Sequence, residues 1–316
     1  MTGGRATGGA SGILLVDKSG GMTSHDVVSR ARRLLGTRKV GHAGTLDPMA
    51  TGLLILGANA STRLLTYVVG LDKEYTATIR LGLATTTDDA EGDPIGDAAD
   101  ASGVTDDAIA AAIAPLTGDI LQRPSTVSAI KVDGKRAYAL ARDGVEVELK
   151  ERAVTVSAFD VLAVRRDQLV DGIQVVDVDV RVECSSGTYI RALARDLGAA
   201  LGVGGHLTAL RRTRIGPFAI AESRPIDDAP AVISPQDAAA RLFPSVALDP
   251  GQAADLANGK RVAVDHPDTP GPVAALAPGG TLIGLIAIVD GRARVLVNFP
   301  TDHPAPADPT EGGATP

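Results

Sequence analysis

Apolar and polar positions along the chain fall into continuous apolar runs, period-two stretches and helical stripes. Residues 12–16 (GILLV) are apolar throughout and close on Asp17-Lys18-Ser19-Gly20-Gly21, which predicts a buried strand and a turn. A helix is expected next. Thr23 or Ser24 can accept from the first free amides, Val27, Val28, Ala31, Leu34 and Leu35 recur at helical spacing, and Gly36 supplies the stop. Residues 41–48 (GHAGTLDP) are too rich in glycine for an element interior and predict a loop before the apolar run 53–56. Residues 74–81 alternate, with Tyr75, Ala77, Ile79 and Leu81 on one side, as a half-buried strand does. A helix is expected over 105–116. Val176, Val178, Val180, Val182 and Cys184 then give the cleanest period-two pattern, ended by Ser185-Ser186-Gly187-Thr188. Ile190, Leu193, Ala194, Leu197 and Leu201 form a final helical stripe before Gly202.

Strands and helices interleave without regular alternation, which predicts an α+β arrangement rather than a doubly wound one. Prolines and alanines replace the strand pattern between residues 220 and 248, so a helical or linker region is expected to join two modules. Beyond it, residues 282–289 and 293–297 are β-prone runs around Asp290-Gly291-Arg292, a hairpin signal in a small all-β unit. The glycine-rich tail 1–11 and the proline-rich tail 301–316 are expected to be disordered.

Composition narrows the classes. The 316 residues are enough for about two domains. With no 20-residue apolar span and no apolar core within the first ten residues, MTGGRATGGA, a cytoplasmic chain without membrane contact is expected. Cys184 is the single cysteine and the five histidines lack ligand spacing, so neither a disulfide nor a metal is expected. The net charge of −7 argues at first against a nucleic-acid partner. Eight acids and no base lie between residues 88 and 107, however, and the rest of the chain sums to +1. That acidic segment reads as a solvated face. Basic residues cluster instead at Arg30, Arg32, Arg33, Arg38 and Lys39, and at Arg211, Arg212 and Arg214, leaving room for local basic surfaces despite the acidic balance. Phosphate-loop, dinucleotide-fold and serine-hydrolase signatures are all incomplete.

Asp47 stands out, held between Gly44-Thr45-Leu46 and Pro48 in a loop whose glycines let backbone approach a ligand. From spacing alone an Asx-turn before proline is the commoner role. Wider context changes that. The segments GILLVDKSGGMTSHDVV, GHAGTLDPMATGLLIL, KEYTATIRLG, RPSTVSAIKVDGKRAYALAR and SSGTYIRALARDLG, in that order between about Gly12 and Arg214, resemble the TruB family of tRNA pseudouridine synthases.

The resemblance implies a pseudouridine synthase fold, α+β with a largely antiparallel central sheet and a small C-terminal PUA-like β barrel. It implies an isomerase that converts uridine-55 in the T loop of tRNA to pseudouridine by base flipping, with no cofactor and no metal. The partner is the T arm of tRNA, and a monomer is expected. By the resemblance Asp47 is the catalytic aspartate, Arg191 its cationic partner and Tyr75 the tyrosine that stacks on the base. Tyr189 and Leu210 are implied to line and close the base site, and His42 to fill the space that the flipped nucleotide leaves. Lys18, Lys131, Arg211 and Arg212 are implied substrate contacts, with Lys135, Arg136 and Arg214 as further phosphate contacts. Ser19 stands where the family commonly has proline, and Thr45 where it has Ser or Ala. The implied division is a catalytic domain at 12–240, with an RNA-covering insertion at about 123–152, and a PUA-like domain at 241–300. Two other classes fit Asp47: a non-catalytic RNA-binding module or tRNA folding chaperone, and a glycosidase or nucleoside hydrolase, which would need a second placed carboxylate.

Overall fold

The structure, a computed structural model, describes residues 11–125, 131–132, 135–136 and 150–299. Both expected tails lie outside these residues, apart from Ser11, as do the side chains of the segment 126–149.

Strands β1 (Gly12–Lys18), β2 (Val40–Ala43), β3 (Thr51–Ala58), β4 (Lys73–Leu81) and β5 (Gly118–Gln122) are followed by a short pairing of β6 (Lys131–Val132) with β7 (Lys135–Arg136). Then come β8 (Arg152–Val170), β9 (Ile173–Cys184), β10 (Gly205–Ile215), β11 (Phe218–Ala219) and β12 (Val232–Ile233). Ten of these form one sheet in the order β12-β1-β3-β10-β4-β9-β8-β5, with β2 on β3 and β11 on β10. The pairings are antiparallel except for β3 with β10, where Arg211 and Arg212 run beside Thr51 and Gly52.

The uniformly apolar runs are apolar because both sheet faces are covered. Leu14 and Val16 of β1 face one cluster, with α1 (Ser24–Leu34), α3 (Asp106–Ile113) and α4 (Ile190–Ala200), while Ile13 and Leu15 face the other, with α2 (Leu65–Val69) and α5 (Pro235–Leu242). The strand β4, covered less evenly, keeps the strict alternation that its sequence shows. Helix α1 starts where expected: Thr23 and Asp26 form a reciprocal cap, and Gly36 adopts the left-handed conformation at φ +61° just past its end.

Two expectations are corrected. Residues 40–43 are a strand rather than part of a loop, because β3 supplies an antiparallel partner for the whole stretch, and only 44–50 remain irregular. The region 220–248 is helical in part, at α5, and is no linker. Its Val232 and Ile233 extend the main sheet beside β1, and Ala238 and Ala239 of α5 are fully buried against it. Small side chains pack a helix close to a sheet, so alanine richness here marks a contact and not a spacer.

The C-terminal unit is PUA-like, a five-stranded sheet of β13 (Ser245–Ala247), β14 (Val262–Ala263), β15 (Thr269–Leu276), β16 (Leu282–Val289) and β17 (Arg292–Asn298), ordered β13-β15-β16-β17-β14, with helix α6 (Pro250–Ala257) against it. Asp290 and Gly291, both at positive φ, make the expected two-residue hairpin. Ala274, Leu282, Leu285 and Phe299 join the same apolar cluster as Ile13, Leu53 and Ile55, so the two sheets share a core. Among the described residues no helix is long and apolar enough to cross a membrane.

One glycine fixes the centre of the main sheet. Gly52 has φ +100°, and a Cβ there would lie 2.3 Å from the Arg212 carbonyl oxygen. Gly52→Ala is therefore expected to destabilise the fold by about 3 kcal/mol, read as a fall in the thermal unfolding midpoint.

Candidate active site

The irregular segment 44–50 is held from several sides. Ser24 Oγ, at the start of α1, donates to Leu46 O at 3.1 Å and accepts from Leu46 N at 3.0 Å. Lys18 Nζ reaches Pro48 O at 3.1 Å as well as Met22 O at 2.7 Å and Ser19 O at 3.0 Å. Arg212 donates to Gly44 O at 3.0 Å and to Leu53 O at 2.8 Å. So fixed, the loop presents Asp47 to α4: its Oδ2 lies 3.0 Å from Arg191 Nε. The carboxylate is committed to this long-range pair and not to a local Asx-turn.

Arg191 is no solvent-facing helix arginine. Its side chain is 4% exposed, whereas Asp47 keeps 37%. A cation in the first turn of a helix opposes the helix dipole, and burial adds to the cost. Two carboxylates offset both. Besides Asp47, Asp89 Oδ2 lies 3.5 Å from Arg191 Nη1, and Nη1 also donates to Thr87 O at 2.9 Å. Asp89 is buried and its Oδ1 accepts from Glu91 N at 3.0 Å. Next to it, Asp88 pairs with Arg195 of α4 at 3.3 Å. The acidic segment is thus only partly a solvated face: Asp88 and Asp89 turn inward toward α4. Burial raises the Asp47 carboxyl above its ordinary value; Arg191 and Lys18 pull it down, and Asp89 pushes it up.

A cavity of about 260 Å³ opens beside this pair, lined by Asp47, Tyr75, Tyr189, Arg191, Leu210 and Arg212 among others. Tyr75 is 8% exposed and Leu210 7% exposed, each on a strand of the main sheet. Tyr189 precedes α4, and Gln122 at the end of β5 grips its backbone from both sides, accepting from Tyr189 N at 2.8 Å and donating to Tyr189 O at 3.0 Å. Gln122→Leu would keep the volume and lose both bonds. It is expected to slow turnover ~10- to 100-fold through misplacement of Tyr189 and Arg191, with substrate binding little changed, as single-turnover rates would show.

The other residues singled out in the sequence fall elsewhere. Lys18 lies under the 44–50 loop and outside the pocket lining, and burial lowers its amine to about 8. His42, on β2, leads into the loop and meets His25 edge to face at 5.6 Å between ring centres. Arg211 is 41% exposed and forked onto Asp17 at 2.7 and 3.0 Å, and Arg214 pairs with Asp72 and Glu183. Arg212, only 1% exposed, is part of the pocket wall, where its guanidinium donates to backbone carbonyls. Lys131, Lys135 and Arg136 have described backbone only, so their expected phosphate contacts lie outside the described side chains. Among the described residues no group of three or more His, Cys, Asp or Glu is placed to hold a metal ion.

The description "TruB family pseudouridylate synthase (N terminal domain)" matches residues 32–190. The chain belongs to the TruB family of pseudouridylate synthases. Two further family descriptions continue the match, "tRNA pseudouridylate synthase B C-terminal domain" over 191–236 and "tRNA Pseudouridine synthase II, C terminal" over 243–300. A relative from Leifsonia xyli subsp. xyli named tRNA pseudouridine synthase B is 59% identical over 300 residues, covering 93% of this chain and 98% of that protein. One of the same name from Nocardia farcinica is 58% identical over 291 residues, covering 89% and 91%. Among solved structures, an H/ACA RNP bound to a substrate RNA containing 2'-deoxyuridine has a chain with TM-score 0.66 and 25% identity, covering 92% of this chain and 86% of that one. Every TruB-like segment found in the sequence between Gly12 and the end of α4, except the one at 123–142, most of which lies outside the described residues, contributes a residue to the pocket or to the supports of its loop.

Proposed function

We propose that this enzyme isomerises uridine-55 in the T loop of tRNA to pseudouridine, with Asp47 as the catalytic residue and the target base flipped into the pocket. Support comes from the family, from relatives named tRNA pseudouridine synthase B, and above all from one observation, the Asp47–Arg191 pair at the wall of an open cavity. A carboxylate so placed can attack the base or the sugar, or assist departure of uracil, and later move a proton. Arg191 keeps Asp47 charged against the burial that disfavours its ionised form. Tyr75 stacks on the base, Tyr189 and Leu210 enclose it, and His42 fills the space the nucleotide vacates in the T loop. Unstacking costs a few kcal/mol, which binding of the folded RNA arm offsets, so free uridine is a poor substrate. The same reading divides the chain at about residue 240, with the PUA-like unit holding more of the tRNA.

A module that only bound RNA would gain nothing from burying a guanidinium between two carboxylates beside a cavity. The test is tritium release from tRNA transcribed with 5-tritiated uridine, because isomerisation expels the C5 hydrogen. One equivalent per tRNA, with the modified base mapped to position 55, is the expected result. Binding without release would favour the chaperone, and release of free uracil the hydrolase.

A further inference from the structure

The pocket holds two cationic side chains besides Arg191. Lys73 sits two residues before Tyr75 on the same face of β4, and Arg212 lies opposite Tyr75 in the pairing of β4 with β10. Both line the cavity and both are nearly sealed, at 6% and 1% exposure. Their partners are neutral. Lys73 Nζ donates to Val69 O at 2.7 Å and Leu71 O at 2.5 Å, and Arg212 donates to carbonyls of the catalytic loop and of β3 and faces the Tyr75 hydroxyl. Among the described residues neither forms an ion pair, whereas Arg191 spans two carboxylates. The one carboxylate among the described residues that lines the cavity, Asp47, is paired with Arg191, so two further buried cations there without a carboxylate partner are costly, and a second anion in the cavity offsets the cost. An ammonium has three protons, and the two carbonyls leave one for a further acceptor.

We propose that Lys73 and Arg212 form an oxyanion subsite in this pocket, holding a negatively charged oxygen of the target nucleotide. Two of its oxygens have that chemistry. A phosphate oxygen is charged throughout, and a uracil carbonyl oxygen gains charge if the electron pair of the N1–C1′ bond passes into the ring as that bond breaks. The inference rests on the pseudouridine synthase reading.

A plain structural role for Lys73, capping the carbonyls after α2, makes a different prediction. Burial, with Arg212 beside it, lowers the Lys73 amine to about 8. The other groups facing it are Cys184, whose thiol burial pushes up to about 11, Tyr75, whose hydroxyl burial also raises, and Asp72, which is paired with Arg214. A neutral amine still has two protons for Val69 and Leu71, so capping survives deprotonation while the oxyanion contact does not.

The experiment compares wild type, Lys73→Arg and Lys73→Met by tritium release from 5-tritiated tRNA on either side of pH 8, together with tRNA binding and thermal unfolding. Lys73→Met is expected to lose activity at least ~10-fold. The ratio of kcat/KM for Lys73→Arg to that of wild type should be level below about 8 and climb above it, by up to about tenfold per pH unit, because only wild type loses its charge. Lys18, which titrates in the same range, is present in both and cancels. If the oxygen is a phosphate, Lys73→Met raises KM and reduces the salt dependence of binding; if it belongs to uracil, kcat falls at unchanged affinity. A ratio that stays level across the range overturns the subsite, and it decides the matter even where Lys73→Met fails to fold. A wild type that releases no tritium overturns the synthase reading instead, and the subsite with it.

Discussion

Asp47→Asn is expected to abolish tritium release from tRNA, by at least ~10⁴-fold, while leaving tRNA affinity close to that of wild type. The substitution keeps shape and hydrogen-bonding capacity and removes the charge and the nucleophile together. Fold stability should not fall with activity. Because burial raises the Asp47 carboxyl, the folded protein binds that proton more tightly than the unfolded chain does. Ionised Asp47 therefore costs stability at neutral pH, and the cost disappears as pH drops through the raised value toward the ordinary 3.8. The variant should accordingly match or exceed wild type in unfolding midpoint at neutral pH, with the difference shrinking in acid. Arg191, still paired with Asp89, keeps a partner in the variant. A variant that retains turnover would remove Asp47 from the chemistry, whatever its stability.

What the sequence showed and hid follows from the range of the interactions involved. Stripes such as Val27, Val28 and Ala31 on α1, and the alternation of β4, are local consequences of one covered face, and the structure places them as read. Asp47, Tyr75, Tyr189, Arg191 and Leu210 were found through segment resemblance, and the fold then brings them to one cavity from the 44–50 loop, β4, the start of α4 and β10. Asp89 was hidden by its surroundings, because eight acids without a base look like a solvated surface. What turns Asp88 and Asp89 inward is pairing with Arg195 and Arg191, a hundred residues away in the chain, together with a bridge to Leu207 of β10. Gln122 carried no signal at all: a lone glutamine says nothing until its distance to the Tyr189 backbone is known. Conversely, the arginine cluster at 211–214 reads as one basic patch, but strand alternation turns Arg211 away from the buried Arg212, and an irregularity in the β10–β4 register between Arg212 and Arg214 separates Arg214 as well, so that both neighbours lie in surface ion pairs.

Arg191→Met carries the second large expectation. Methionine fills much of the same space but leaves Asp47 and Asp89 facing each other across it with no cation between them. Like charges in a buried site cannot both stay ionised, so the Asp47 carboxyl should rise further, and the acid limb of kcat/KM should move up toward neutral pH. Residual activity of ~10⁻³ of wild type at neutral pH is expected, recovering in part as pH increases, along with a stability loss of about 3 kcal/mol from the Asp89 side of the contact. Arg191→Lys should fall between, because an ammonium restores the charge but cannot span both carboxylates as the guanidinium fork does. Adding Asp89→Asn to Arg191→Met supplies the decisive comparison. If Arg191 acts by holding Asp47 ionised, removing the second carboxylate lowers the Asp47 carboxyl again and recovers activity relative to the single variant, a coupling that a double-mutant cycle measures. If the double variant is simply worse than either single one, Arg191 contributes by shape or by direct contact with the substrate, and the electrostatic role assigned to it here is wrong.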